Sequence, residues 1–409
     1  MPSLEQQRAN PHLRVEWAVR ARDHAALNAL LASGDSPNGY GSNRGQPLIA
    51  AIYLNDVESL TTLLKAGADV NIRVSGGDTP LVYASESNRL DVVRILLDHG
   101  AHPNASNSQN GLTPLRLAMN RQDIDMLNLL IKHGANVNLP DTYGVTPLLK
   151  ASFDDDYDMI QFLRGHGARF RSVSEHLFYA AGSGDTALIR RDLAAGARVN
   201  HVCGEGLTPL MAAAANGYTA AVKLLIAAGA NLNAIDSDHA TPLQYAFKSG
   251  HESTILALLD AHADATIANA SGDTALHLAA DYIDNPDIVQ RLLAAGVAPD
   301  AADASHGTPL MEAAGSGRYE MEKILIGLKV NVNAQSDEGR TALMEAAQSG
   351  NYDIVLLLLR AGADPSLRNQ EGKTALDEAI WSRSADIVKI LRNPASVSQA
   401  TEKGPAPGH

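Results

Sequence analysis

Residues 206–233 read GLTPLMAAAANGYTAAVKLLIAAGANLN. Thr208 offers a hydroxyl that can cap a helix, and Pro209 suits its first turn, where a missing N–H does no harm. Leu210, Ala213 and Ala214 then follow helical spacing, and Asn216-Gly217 stops the helix. A second helix is predicted over about 219–228, with Val222, Leu225 and Ile226 on one face. Gly229 is placed to end it in the left-handed conformation that glycine tolerates best. The next residues would run out as an extended finger into a following copy. One such unit cannot bury both of its faces, so it needs neighbours on either side.

Those neighbours are visible as a period. Leucine recurs at 48, 81, 115, 148, 177, 210, 243, 276, 310, 343 and 376, in steps of 33 or 34 except for one of 29. Six units carry Thr-Pro-Leu (Thr79, Thr113, Thr146, Thr208, Thr241, Thr308) and three carry Thr-Ala-Leu (Thr274, Thr341, Thr374). The pattern predicts an all-α solenoid of about twelve helix-turn-helix units joined by extended fingers.

These residues resemble the ankyrin repeat. Gly272-Asp273-Thr274-Ala275-Leu276-His277-Leu278-Ala279-Ala280 follows that family's first-helix pattern, and Leu63-Leu64-Lys65-Ala66-Gly67-Ala68-Asp69-Val70-Asn71 its second-helix ending. The resemblance spans roughly 12–393 and implies stacked helix pairs with projecting β-hairpin fingers. It also implies that partners contact the finger tips and the exposed ends of the first helices.

The short step of 29 falls where Arg169-Phe170-Arg171-Ser172-Val173-Ser174-Glu175 replaces the usual finger. A seam is expected near 172, dividing the array into five units over 12–170 and seven over 171–393, with a change of curvature slightly favoured over a silent deletion. Residues 1–11 are expected to be flexible and 394–409 disordered by composition. His262 and Lys329 stand where other second helices end in glycine. Each would cost about 1 kcal/mol in a left-handed pose, so those ends are expected to fray or bend. Asp284-Asn285-Pro286 adds one residue to an inter-helix turn and should push Tyr282 outward.

The chain has 409 residues and a net charge of −13, of which residues 171–409 carry −10. That balance repels phosphate, so neither nucleic acid nor anionic membrane is expected as a partner, and a basic protein segment is. Cys203 is the only cysteine, which fits a reducing compartment and a cytoplasmic protein. No catalytic or phosphate-binding motif is found, so no enzymatic activity and no cofactor are expected. His99, His133 and His166 each precede a helix-ending glycine, in register. They are read as partners for the last helix carbonyls rather than metal ligands, since successive copies would lie roughly 10 Å apart. The acidic run Asp154-Asp155-Asp156-Tyr157-Asp158 lacks the spacing of a calcium loop and reads first as a solvated turn.

The function expected is a non-catalytic scaffold or adaptor, monomeric, binding a protein through its concave face and fingers. The alternatives are a targeting or regulatory subunit of an enzyme complex, or a host-directed effector. Large aromatics are informative in a chain with 4% of them, because aromatic residues dominate interface energetics. Mapped onto helix ends and finger tips, the candidate contacts are Tyr53, Tyr143, Phe153, Asp154, Asp238, His239, Asp281, Tyr282, Asp337, Glu338 and Trp381. They suggest an aromatic zone before the seam and an acidic one near 281–345.

Overall fold

The computed structural model describes residues 13–39, 46–74, 77–154 and 156–394. The flexible N-terminus expected over 1–11, Asp155, and the tail from 395 onward lie outside the described residues. Those described form twelve helix pairs, from Arg14–Arg20 with His24–Ala32 to Ala375–Trp381 with Ala385–Arg392. The chain divides into two compact units between Arg171 and Ser172. The first contains five of the pairs and the second seven.

Within each unit the first helix of a pair packs against its own second helix and, in most repeats, against the first helices of its neighbours. The recurring leucines from Leu48 to Leu343 are each no more than 2% exposed, and each such burial stabilises by about 2 kcal/mol. Ala213, Ala246, Ala279, Ala313 and Ala346 have no exposed surface. Their lack of bulk is what lets neighbouring first helices approach. Thr208 accepts a hydrogen bond from the Met211 N–H at 3.3 Å, and Thr79, Thr113, Thr146, Thr241, Thr308, Thr341 and Thr374 cap in the same way.

The fingers are shorter than full hairpins. Each closes on a single turn, as in Asp236 N–H to Ala240 carbonyl (3.2 Å) and Asn269 N–H to Asp273 carbonyl (3.0 Å). Only the Cys203–Leu207 pair makes a β-bridge among the described residues. An Asp or Asn side chain fixes the turn: Asp303 Oδ1 accepts from the Ser305 and Gly307 N–H groups at 2.8 and 2.7 Å. Within the second unit the tips are chained through backbone bonds, with Ser237 N–H to Glu205 carbonyl, Ala270 to Asp238, Ala304 to Ser271, Asp337 to Ser305 and Gln370 to Glu338.

A second set of bonds locks successive repeats together. The Asn four residues beyond the helix-ending glycine donates to the next such glycine's carbonyl and accepts the N–H two residues after it. Asn104 does so with Gly134 (3.2 Å) and Asn136 (2.7 Å), and Asn71, Asn138, Asn200 and Asn333 repeat the bridge.

His262 and Lys329 adopt φ of +65° and +60°. After His262 the helix closes as it does elsewhere, with Ala263 N–H to Leu258 carbonyl at 3.0 Å. The equivalent bond from Val330 is not made among the described residues, so the Lys329 end alone is loosened. Replacing either residue with glycine is expected to raise the unfolding free energy by about 1 kcal/mol, read as a shift in urea midpoint. An unchanged or lowered midpoint would show that the left-handed pose carries no strain.

Candidate partner-binding surface

In the first unit Tyr53 ends the helix Gln46–Tyr53 and is 78% exposed, while Tyr143, on the finger tip 141–145, is 61% exposed. Tyr143 is held out because Asp141 Oδ1 accepts its N–H at 3.0 Å and that of Val145 at 2.9 Å. Phe153 is half-buried at the end of Pro147–Phe153. Asp154 follows it and is exposed, but its carboxylate is paired with Lys150 one turn back. Tyr53 and Phe153 occupy the same register with two repeats between them. At about 10 Å per repeat they are separate contact points, not one cluster.

In the second unit Asp238, His239, Asp337 and Glu338 are exposed at finger tips. Asp337 pairs with His306 of the preceding finger at 2.8 Å. Asp281 is only half-exposed. Its carboxylate accepts from the Ser316 hydroxyl at 2.8 Å and its carbonyl from Arg318 at 2.7 Å, so it locks two repeats together. Tyr282 is 43% exposed, and burial, with Asp281 beside it, raises its hydroxyl above the usual tyrosine range. The inserted residue acts locally: Ile283 turns inward, 3% exposed, Asn285 caps the next helix and Pro286 opens it. Trp381 is 69% exposed at the end of the last first helix.

The sequence reading missed the strongest electrostatic feature of this face. Glu312, Glu345 and Glu378 hold the same register in three successive repeats, each four residues after the capping threonine. Arg340 neutralises two of them, contacting Glu345 (Nη2 to Oε2, 3.1 Å) and Glu378 (3.2 Å). Glu312 is half-buried and makes no ion pair among the described residues. Burial, then the carboxylates of Asp281, Asp273, Asp303 and Glu345, push its pKa up to about 7. A glutamate recurring at a 33-residue interval was the available signal.

Among the described residues no group of three or more His, Cys, Asp or Glu side chains is arranged to hold a metal ion. His99 and His166 each hydrogen-bond through Nδ1 to the carbonyl four residues earlier, Ile95 and Phe162, both at 2.8 Å. His133 lies 3.7 Å from the Asp98 carboxylate. No helix of the described residues is long and apolar enough to cross a membrane.

The family model for ankyrin repeats, three copies long, matches residues 15–107, 103–173, 177–269, 255–336, 276–369 and 310–401. No curated protein matches the chain. Among solved structures the chain is similar to the human ASB11 ankyrin repeat domain, at 29% identity and a TM-score of 0.47, over 56% of this chain and 99% of that one. It is also similar to the ankyrin repeat domain of Bcl-3, described as a unique member of the IkappaB protein family. That likeness is at 32% identity and a TM-score of 0.44, over 53% of this chain and 98% of the other. With family matches running from residue 15 to residue 401, the chain belongs to the ankyrin repeat family.

Proposed function

We propose that this protein is a non-catalytic scaffold or adaptor, and that its second unit receives a basic segment of a partner protein along the glutamate row of the first helices. Ankyrin repeats are generally protein–protein interaction modules, which supports the first part. The second part rests on Glu312, a half-buried carboxyl facing four other acidic groups and in no ion pair among the described residues. A lysine or arginine from outside would supply to Glu312 what Arg340 supplies to Glu345 and Glu378. Tyr282 and Trp381 flank the row as aromatic contacts, and Tyr53, Tyr143 and Phe153 provide a second zone on the first unit.

The experiment is capture from native lysate with wild type, with Glu312→Gln, and with a triple alanine variant at Tyr53, Phe153 and Tyr282. Both variants should lose the captured partner while circular dichroism is unchanged; retention of every partner by both would defeat the mapped surface. The charge also fixes a pH response. A bound cation favours ionised Glu312, so binding expels its proton and tightens as pH rises from 6 to 8, by up to about tenfold. Glu312→Gln should flatten that profile in titrations of the captured partner.

A further inference from the structure

Three repeats of the second unit carry another residue at the position of the bridging asparagine, Thr266, Asp300 and Ser366, and Asn233 makes only the accepting half of the bridge, from the Asp264 N–H at 2.9 Å. At the Asp300 junction the consequences can be followed atom by atom. An aspartate has no N–H to give to the carbonyl of Lys329, the residue in the glycine's place. Among the described residues Asp300 makes no side-chain hydrogen bond or ion pair, and neither the Lys329 carbonyl nor the Asn331 N–H finds a partner. Val330 also fails to close the preceding helix end. A groove of about 360 Å³ opens here, lined by Asp300, Pro299, Ala302, Val330, Asn331 and Leu310. It lies at the finger bases, away from the first-helix ends considered above.

The wall of this groove has a definite chemistry. One edge carries the Asp300 carboxylate, exposed and unpaired among the described residues, and the exposed Lys329, whose carbonyl accepts no hydrogen bond among the described residues, precedes the lining residues Val330 and Asn331 in the chain. Beside it Pro299, Ala302, Val330 and Leu310 offer apolar surface, interrupted by the polar His306, Thr308, Asn331 and Gln335. A cation with several N–H donors in a plane and an aliphatic stem matches both parts. We propose that the Asp300 groove is a receptor for an arginine side chain, whose guanidinium donates to Asp300 and to the Lys329 carbonyl while its methylenes lie on Pro299, Ala302 and Val330. The guanidinium thereby makes the link that an asparagine amide makes at five other junctions, and an arginine-bearing partner would tighten the one joint that is both unbridged and loosened at its helix end. This reading is independent of the glutamate row.

The test uses the full chain and the peptide acetyl-Gly-Arg-Gly-amide as probe, titrated by calorimetry beside the same peptide with citrulline, which keeps the shape and removes the charge. The arginine peptide should bind saturably, and Asp300→Asn should weaken it by about tenfold or more. Asp300→Asn should also bridge Lys329 to Asn331, slowing hydrogen exchange at the Asn331 amide and showing that the variant is folded. Ala302→Trp, at an exposed position, fills the groove and leaves Asp300 in place; it should abolish binding as well. Equal affinity for the citrulline peptide, or affinity unchanged in either variant, overturns the assignment.

Discussion

Replacing Glu322 with valine is expected to stabilise the second unit by about 3 kcal/mol at pH 7. Glu322 has no exposed surface, and neither of its carboxylate oxygens has a hydrogen-bond partner. It occupies the register of Val222, Ile255, Val289 and Val355, each fully buried in the second helix of its own repeat. Burial alone pushes its pKa up to about 9, from 4.5 in the unfolded chain. Below pH 4.5 the group is protonated in both states and titration costs nothing. Above it the unfolded chain ionises while the folded one keeps its proton, so stability falls by about 1.4 kcal/mol per pH unit until pH approaches 9.

Two variants separate the causes. Glu322→Gln removes the titration but leaves a buried amide, so its stability should lose the pH slope and gain little else. Glu322→Val loses the slope and gains apolar contact. Urea unfolding of all three proteins at pH 5, 6, 7 and 8, followed by circular dichroism, should show wild type falling steadily behind both variants. A gap independent of pH would mean that Glu322 is ionised in the fold and has found a partner.

Residues such as Glu322 mark where sequence reading stops. The period of 33, the capping threonines and the helix-ending glycines are local signals, so they set the repeat and its helices. His99 and His166 were readable as carbonyl partners because a helix C-terminus is a local environment too. The side-chain electrostatics are not local. Glu312, Glu345 and Glu378 share a register, but nothing in one repeat says that Arg340 reaches two of them and leaves the third. Asp281 was expected as a partner contact at a helix end, yet it accepts from Ser316 in the next repeat. Asp300 differs from asparagine by one group, and the missing N–H matters only because a carbonyl in the next repeat awaits it. The fingers were expected as β-hairpins and are turns, with one β-bridge among the described residues. Fingers such as that of Asn269 close on one backbone bond, too short for a ladder, because an Asx turn uses up the tip N–H groups.

Gly272→Ala is the second change with a large expected effect, a loss of about 3 kcal/mol. Its φ is +83°, where an L-residue is strained. A Cβ there would also stand 2.6 Å from the Ala304 nitrogen and 3.0 Å from the Asp303 Cα and carbonyl carbon, all backbone of the next finger. The clash falls on the Ala304 N–H to Ser271 carbonyl bond, 2.8 Å long, that chains the two tips. Gly229→Ala isolates the conformational part: its φ is +84°, and a Cβ there meets nothing within 4 Å. That control should cost only about 1 kcal/mol. The difference between the two in urea unfolding measures how firmly adjacent fingers are pressed together, and hydrogen exchange at Ala304 should quicken in Gly272→Ala alone. Equal losses would mean that the tips sit farther apart than 2.6 Å allows, and that they are free to move independently when a partner is bound.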